Sequence, residues 1–248
     1  PPMLEMQGLT IRAGNKTLVE NLSLDLVTGR LTCLIGPSGC GKSSVIKWLS
    51  GVLAPELRAE GQVRMDGADL PLPHPAIAYQ PQQDTLFPWL TIVENAALGL
   101  KIRGMHGAAA QRKVRALFPG FGLEGHEDSF PDQLSGGLRQ RAAFLRTMVQ
   151  DARVLLLDEP FSALDAVTRL KMQDWLTERL AEDPRAVLLV THDLFEATQI
   201  ADRVLVMGSR PGRIIADIPI TTPRIARTEA SLADTRAMLK SLLLEDLS

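Results

Sequence analysis

Long apolar runs are absent from this sequence. The longest, at residues 154–157 and 186–190, fall far short of the roughly 18 residues that a membrane-spanning helix needs. Residues 1–5 do not predict a secretion signal, which would combine a charged start with an apolar stretch. We therefore expect a chain that crosses no membrane and that needs another chain to hold it at one.

The chain also has few cysteines and little net charge. The chain has two cysteines, Cys33 and Cys40, and no cluster of histidines. This pattern excludes a disulfide framework and a zinc site, and it is typical of reduced thiols in a cytosolic protein. The formal net charge of -2 gives no global basic field, so we expect no nucleic-acid partner. Hydrophobic residues make up 45% of the chain, which predicts a sizeable core.

Alternating apolar residues predict half-buried strands in the opening third of the chain. The alternation recurs between residues 4 and 26 and again at 63–65, just before the turn pair Asp66-Gly67. Such strands are typical of an antiparallel sheet. Residues 31–35 differ, because they form a continuous apolar run that stops at a glycine. Continuous runs favour strands that are buried on both faces, as in a parallel sheet.

The later part of the chain alternates continuous apolar runs with helical stretches. The runs lie at residues 154–157, 186–190 and 204–207, and residues 167–180 and 194–200 between them have helical periodicity. This order predicts a parallel sheet whose strands are joined by right-handed crossovers.

A helical segment interrupts this α/β pattern. It has helix-like periodicity and no strand pattern, with breaks at Gly104, Gly107, Pro119-Gly120 and Gly136-Gly137. The tail, residues 231–247, places leucines on one helical face and predicts a docked helix.

We therefore predict one α/β domain with three parts. A core with an antiparallel β subdomain covers about 1–90 and 151–220. An inserted α-helical subdomain covers about 91–150, and a helical tail covers about 221–248.

A phosphate-binding loop follows the apolar run at 31–35. Residues 36–43 fit the pattern G-x-x-x-x-G-K-[ST] and lie between a buried strand and a helix that begins near Lys42. Its glycines permit a backbone whose N–H groups cradle phosphate oxygens at the helix N-terminus. Lys42 would neutralise the β- and γ-phosphates, and the Ser43 hydroxyl would bind Mg²⁺. The residues predicted to bind nucleotide here are Gly36, Pro37, Ser38, Gly39, Cys40, Gly41, Lys42, Ser43 and Ser44.

Two adjacent carboxylates, Asp158 and Glu159, follow the apolar run at 154–157. Ligands of open α/β sheets bind at this end of a strand. Neighbouring strand residues point to opposite faces, so Asp158 can hold Mg²⁺ while Glu159 polarises a water as general base.

The signature that separates this chain from other P-loop proteins is Leu134-Ser135-Gly136-Gly137-Leu138-Arg139-Gln140. It resembles the LSGGQ motif of ABC ATPases. Three further segments resemble the motifs of that family in the family's order: Gln82 the Q-loop glutamine, residues 162–165 the D-loop, and Thr191-His192-Asp193 the switch histidine. For the Q-loop, Gln80 is the competing choice, and Gln82 fits the spacing to Leu86 better. The chain is identified as a member of the ABC ATPase family.

The resemblance implies a P-loop NTPase (RecA-like) core that binds ATP and Mg²⁺. It also implies a head-to-tail homodimer, in which Ser135, Gly136 and Gly137 of one subunit close on the γ-phosphate held by Lys42 of the other. Asp165 contributes to the same interface. Gln82 contacts the metal, and His192 aligns the attacking water.

The stretch from Phe87 to Ile92 resembles that of ABC importers, where it lies beside the docking groove for a membrane subunit. The alternative is that Phe87 and Trp89 simply pack the helical segment, and both can hold. With Glu94-Asn95 and residues 209–214, the sequence resembles importer ATPases for nitrate, sulfonate, taurine and pyrimidine precursors. This resemblance implies two transmembrane permease subunits, indirect action with a solute-binding protein, and a peripheral position at the cytoplasmic face of the inner membrane.

Three rival interpretations stay open. They are an ABC ATPase of DNA repair or translation, a regulatory subunit with weakened nucleotide binding, and an exporter cassette. One departure favours the second. The family has an aromatic residue near Ala13 on which adenine stacks, and Arg12-Ala13-Gly14 has none. Base–aromatic stacking is worth about 1–3 kcal/mol, so we predict weaker ATP binding than in relatives.

Overall fold

A computed structural model of the protein describes residues 2–101 and 103–247. Two β-sheets and a set of helices make up the fold. The elements are β1 (Leu4–Ala13), β2 (Lys16–Leu26), β3 (Leu31–Ile35), α1 (Lys42–Ser50), β4 (Arg58–Met65), β5 (Ala68–Asp69), β6 (Ile77–Gln80), α2 (Ile92–Lys101), α3 (Gly107–Leu117), α4 (Gly136–Met148), β7 (Val154–Asp158), α5 (Ala166–Glu182), β8 (Ala186–Val190), α6 (Leu194–Ile200), β9 (Arg203–Gly208), β10 (Arg213–Pro219) and α7 (Glu229–Asp246).

The larger sheet has six strands in the order β10-β9-β3-β8-β7-β6. Strands β9, β3, β8, β7 and β6 run parallel, and β10 is antiparallel to β9. Every residue of β3, β7 and β8 is buried, as their continuous apolar sequence predicts. The carboxyl ends of these three neighbouring strands therefore meet at one edge of the sheet.

The smaller sheet is antiparallel, with the order β2-β1-β4-β5. Its alternating apolar side chains, such as Leu9, Ile11 and Leu22, pack in one cluster with Leu156 and Leu188 of the larger sheet. The predicted turn at Asp66-Gly67 joins β4 to β5. The opposite face of the larger sheet packs against helices in a second cluster. The predicted α/β fold with an antiparallel sheet, a parallel sheet and helices is confirmed.

The segment between β6 and β7 is helical. Among its described residues it contains α2, α3, α4 and two short 3₁₀ turns, and it has no strand. Helix α4 packs against α2 and contacts β6, which joins this segment to the core. The periodicity suggested breaks at Gly107 and at Gly136-Gly137. In the structure these positions are helix starts, since Gly107 is the first residue of α3 and Gly136 is the first residue of α4.

The two edge strands of the larger sheet are β6 and β10. Strand β6 ends at Gln80, and its ladder stops before Pro81, whose nitrogen has no hydrogen to donate. Strand β10 was not predicted. It lies at the sheet edge and its residues are exposed or half-buried, so its sequence lacks a continuous apolar run.

The predicted C-terminal helix is confirmed as α7, which buries Leu232 and Leu239. Its last turn is fixed to the end of β9, because the Ser209 N–H donates to Asp246 Oδ2 at 2.8 Å. No helix within residues 2–101 and 103–247 is both long enough and apolar enough to cross a membrane.

Candidate functional site

The predicted phosphate loop joins β3 to α1, and two of its glycines, Gly36 and Gly41, have no room for a side chain. A Cβ on Gly36 would lie 2.5 Å from the carbonyl oxygen of Met207. Gly41 has a φ of 101°, and a Cβ there would lie 2.7 Å from Val19 Cγ2. Only glycine combines this left-handed backbone with so little space. The loop is thus backed by β2 on one side and by the end of β9 on the other.

The Lys42 side chain is buried and lies against its own loop. Its Nζ donates to the carbonyl oxygens of Gly36 at 2.6 Å and Pro37 at 3.0 Å. The neighbouring Cys40 is also buried, and this burial raises the pKa of its thiol despite the nearby lysine. Cys40 is therefore a neutral packing residue, and Lys42 carries the positive charge of the loop.

Ser43 and Asp158 bring two oxygen ligands together. The Ser43 hydroxyl lies 3.5 Å from Asp158 Oδ1, which ends β7. Burial raises the pKa of the Asp158 carboxyl, and the charge on Glu159 raises it further. A nearby cation would offset both effects. No group of three or more His, Cys, Asp or Glu side chains in the described parts of the chain could hold a metal alone. Mg²⁺ typically takes one or two protein oxygens and completes its shell with phosphates and water, so these residues fit it.

The Glu159 carboxylate is held between two other predicted site residues. Gln82 Nε2 donates to Glu159 Oε2 at 2.9 Å, and His192 Nδ1 lies 2.8 Å from Glu159 Oε1. The side chain of Glu159 is 18% exposed and that of His192 is 61% exposed. Glu159 has a φ of 44°, which is a strained backbone for a residue with a side chain. Residues that are far apart in sequence therefore converge on one carboxylate.

The two Q-loop alternatives occupy different environments. Gln80 is fully buried, and neither its amide nitrogen nor its amide oxygen has a hydrogen-bond partner among the described residues. Gln82 is the one that reaches Glu159. The geometry thus favours Gln82, and its role in metal binding stays a prediction.

The predicted signature residues lie at a separate cavity of about 450 Å³. Ser135 caps the N-terminus of α4 by accepting a hydrogen bond from the Leu138 N–H at 3.3 Å. Asp165 caps α5 by accepting from the Thr168 N–H at 3.0 Å. Gly136 and Gly137 line the same cavity. The structure therefore brings the signature and the D-loop together, with the N-termini of two helices at one open surface.

Phe87 and Trp89 project from the loop before α2. Their side chains are 41% and 70% exposed, and their ring centroids lie 5.1 Å apart. The residue that holds this loop is Asn95, which sequence reasoning did not single out for that role. Asn95 is fully buried, accepts from the Phe87 N–H at 2.8 Å and donates to the carbonyl oxygens of Phe87 and Leu90 at 3.1 Å. A polar residue on an otherwise buried helical face is the signal that could have revealed it.

Ala13 ends β1 and is half-buried, beside the exposed turn at Gly14. The following strand, β2, packs against the phosphate loop, since a Cβ on Gly41 would lie 2.7 Å from Val19 Cγ2. The sequence from residue 10 to residue 20 has no aromatic side chain. The departure noted at Ala13 therefore lies on the strand pair that backs the phosphate loop.

A buried strand leads into a glycine-rich loop, and two carboxylates follow another strand of the same parallel sheet. This combination defines a P-loop nucleotide-binding protein. The profile of the ABC transporter family matches residues 19–162, and the chain belongs to this family as an ATP-binding component. The resemblance inferred from the motifs is thus confirmed.

Three relatives are similar over most of their length. The aliphatic sulfonates import ATP-binding protein SsuB 3 of Paraburkholderia xenovorans is 40% identical over 248 residues, which are 100% of this chain and 88% of the relative. SsuB 2 of Burkholderia cenocepacia, with the same description, is 37% identical over 96% of this chain and 86% of the relative. An uncharacterized ABC transporter ATP-binding protein of Methanocaldococcus jannaschii is 35% identical over 98% of this chain and 89% of the relative.

Proposed function

We propose that this chain is the ATP-hydrolysing subunit of an ABC importer and that it works as a head-to-tail homodimer. The observation that carries the proposal is the Glu159 carboxylate, held at 2.9 Å by Gln82 and at 2.8 Å by His192, one residue after Asp158. A carboxylate fixed by two neighbours beside a phosphate loop suits a general base for hydrolysis of a bound nucleotide.

The residues divide the work of hydrolysis. Backbone N–H groups of residues 36–44 and the Lys42 ammonium bind and orient the phosphates of ATP. Ser43 and Asp158, with Gln82, would hold Mg²⁺, which supplies charge neutralisation at the phosphates when it is bound. Glu159 takes a proton from the attacking water, and His192 keeps the Glu159 carboxylate in place and orients that water.

The homodimer is supported by the separation of the two binding surfaces. Ser135 makes its hydrogen bond within its own helix cap, and Asp165 does the same. Both line an open cavity whose lining contains no residue of the phosphate loop. The N-terminus of α4 faces this open cavity and suits an anion supplied by a second copy, and the phosphates of ATP bound to that copy are such an anion.

An exposed aromatic pair supports coupling to a membrane subunit. Phe87 and Trp89 pack against each other with their rings tilted by 42°, in a loop that hydrogen bonds to Asn95 hold in place. Rigid exposed aromatic side chains are typical anchors of protein interfaces. We infer that this loop contacts one of two transmembrane permease subunits at the cytoplasmic face of the membrane, and that a solute-binding protein delivers the substrate.

The names of the relatives suggest the class of transported molecule. Two relatives that cover almost all of this chain are named for the import of aliphatic sulfonates. We propose a small organic anion, with aliphatic sulfonates as the first class to test. A pyrimidine precursor of thiamine is the next class, because the stretch from Tyr79 to Trp89 resembles importer ATPases for pyrimidine precursors.

Mixing two inactive variants tests the head-to-tail dimer. In Ser135→Arg the signature surface is blocked, and in Lys42→Ala the phosphate loop is impaired. Each variant alone should hydrolyse ATP at least about a hundredfold more slowly than the parent. In a mixed dimer one of the two sites is intact, so an equimolar mixture should recover up to about a quarter of parental turnover.

The matched control mixes Ser135→Arg with the double variant Ser135→Arg/Lys42→Ala, which leaves no intact site and should recover nothing. Phosphate release is measured for each mixture at equal total protein. Cooperative turnover by Ser135→Arg alone, or a mixture no faster than its components, would contradict the shared site.

A second candidate is a regulatory ABC ATPase with weakened nucleotide binding, favoured by the missing aromatic at Ala13. The two candidates differ in the rate of ATP hydrolysis with the cognate membrane subunits. Stimulation by those subunits supports the importer, and ATP binding without turnover supports the regulatory protein.

A further inference from the structure

Glu196 is a buried acid that has no part in the mechanism described above. It lies in α6, one turn after the switch histidine segment, and is 7% exposed. Its Oε2 accepts from Gln173 Nε2 at 3.0 Å, and Thr191 lines the same small polar cavity. Burial raises the pKa of Glu196, and hydrogen bonding from Thr191 and Gln173 opposes that rise. A buried carboxylate is costly unless its hydrogen bonds are satisfied, so its position calls for an explanation.

The Thr191 hydroxyl connects Glu196 to the turn that carries His192. Thr191 is 2% exposed. Its Oγ1 accepts from the Asp193 N–H at 3.1 Å, which leaves the hydroxyl hydrogen for the Glu196 carboxylate in the polar cavity that both residues line. Asp193 is fixed in turn, because its Oδ1 accepts from the Phe195 N–H at 2.9 Å. The backbone on both sides of His192 is therefore held by hydrogen bonds.

The His192 ring itself has little support from packing. It is 61% exposed, and its Nδ1 lies 2.8 Å from Glu159 Oε1. An exposed ring keeps one orientation only if its backbone is rigid. That rigidity comes from the Thr191–Glu196 hydrogen bond and from the Asp193 cap of α6.

Gln173 extends the connection to a second functional segment. It is buried in α5, the helix that Asp165 caps, and its amide donates to Glu196. Glu196 thus links the helix of the D-loop to the helix of the switch histidine. A polar cavity of about 60 Å³ between them is lined by Glu159, Thr191, His192 and Glu196, among others.

We propose that Glu196 is a positioning residue for ATP hydrolysis, which acts through the Thr191 hydroxyl to hold His192 against Glu159. The inference rests on the proposed ATPase function and deepens it. Glu196 does not touch the reacting atoms, so its loss should lower kcat and leave ATP binding unchanged. A purely structural role would instead lower stability without a selective effect on kcat.

Two variants from different positions break the same connection. Glu196→Ala removes the carboxylate, and Thr191→Val replaces the hydroxyl with a methyl group of similar size. Each should lower kcat by about ten- to a hundredfold, because small misplacement of a group near the chemistry costs this much. The KM for ATP should stay within about twofold of the parent, since the phosphate loop is untouched.

Conservative variants should restore activity. In Glu196→Gln the side-chain oxygen can accept from Thr191 while its amide donates to Gln173 with the Gln173 amide turned over. Thr191→Ser keeps the hydroxyl. Both should retain at least about a third of the parental kcat if hydrogen bonding and not charge is what positions the turn. Glu178→Ala, an exposed change on α5, is the control and should match the parent.

A double-mutant cycle with His192→Ala identifies the route. If Glu196 acts through His192, adding Glu196→Ala to His192→Ala should produce no further loss of kcat. An equal loss in both backgrounds, or a parental kcat in both Glu196→Ala and Thr191→Val, would overturn the proposal. Thermal unfolding measures whether each variant is folded. If Glu196→Ala is unfolded, Thr191→Val carries the test. A parent without ATPase activity would contradict the proposed function and would be seen before any variant is compared.

Discussion

Two regions of this molecule carry its predicted site residues, and they differ in how far one chain completes them. At the carboxyl edge of the larger sheet, Gln82, Glu159 and His192 come from three separate segments and contact one another directly. At the signature surface, Ser135 and Asp165 make their hydrogen bonds only to their own helix caps beside an open cavity.

The difference indicates what each region needs. A carboxylate between two side-chain partners is already oriented, so one subunit positions the proposed general base and metal ligands of the sheet edge without help from another chain. Two capped helix N-termini facing a cavity are oriented toward something outside the chain. We therefore interpret the sheet edge as the self-contained half of the site, whose groups one subunit positions, and the signature surface as the half that a second subunit uses.

The largest expected effect tests the self-contained region. Glu159→Gln should reduce ATP hydrolysis by about 10²–10⁴-fold, since an amide cannot accept the proton of the attacking water. ATP affinity should stay near that of the parent, because the amide can still contact Gln82 and His192. Phosphate release and equilibrium ATP binding measure the two quantities. Glu178→Gln, exposed on α5, is the control. Turnover within about tenfold of the parent would remove Glu159 from the role of general base.

A smaller effect is expected at the margin of the same region. Ala13→Tyr supplies an aromatic ring at the end of β1, where the family resemblance implies a residue that stacks on adenine. It should tighten ATP binding by about five- to a hundredfold, which corresponds to about 1–3 kcal/mol of stacking. Titration of ATP and GTP into both proteins measures the gain and the base preference. Ala13→Leu adds apolar volume without an aromatic face and is the control. An unchanged affinity in Ala13→Tyr would show that the base does not lie at this position.

Much of both regions could be predicted from sequence, because each motif also fixes its local structure. The apolar runs at β3, β7 and β8 predicted buried parallel strands, and parallel strands place their carboxyl ends at one edge. That placement puts the phosphate loop, Asp158 and His192 at the same edge of the sheet.

The remaining features depend on contacts between distant segments, which local pattern does not encode. Gln80 and Gln82 differ by two residues, and only tertiary packing buries the first and directs the second to Glu159. Strand β10 lies at a sheet edge and is only half-buried, and Arg213 and Asp217 interrupt its apolar residues, so its sequence has no continuous apolar run. Asn95 and Glu196 are buried polar residues whose partners, Phe87 and Gln173, could not be identified without the fold.

The smallest expected effect is on the free energy of unfolding, and it tests whether the two regions are energetically independent. Glu94 lies in the first turn of α2, in the helical segment that carries the signature, and its Oε1 accepts from the Thr91 N–H at 3.0 Å and from the Thr91 hydroxyl at 2.8 Å. These hydrogen bonds hold the pKa of Glu94 below its usual value. Glu94→Ala should lower the free energy of unfolding by about 1 kcal/mol at pH 7, as the loss of a helix cap does.

The pH dependence of that loss has a defined sign. A carboxyl whose pKa is lowered in the folded state contributes stability above its unfolded pKa, and the contribution is lost as the pH falls through the folded pKa. The difference in the free energy of unfolding between Glu94→Ala and the parent should therefore shrink toward acidic pH in denaturant titrations. The control Glu124→Ala, at an exposed position of the same segment, should show no difference from the parent at either pH. ATP affinity at the phosphate loop should be unchanged in Glu94→Ala, because α2 supplies none of the groups that hold phosphate. A parallel loss of ATP affinity and stability would mean that the helical segment and the sheet edge act as one energetic unit, and the division between a self-contained site and a surface for a second subunit would have to be abandoned.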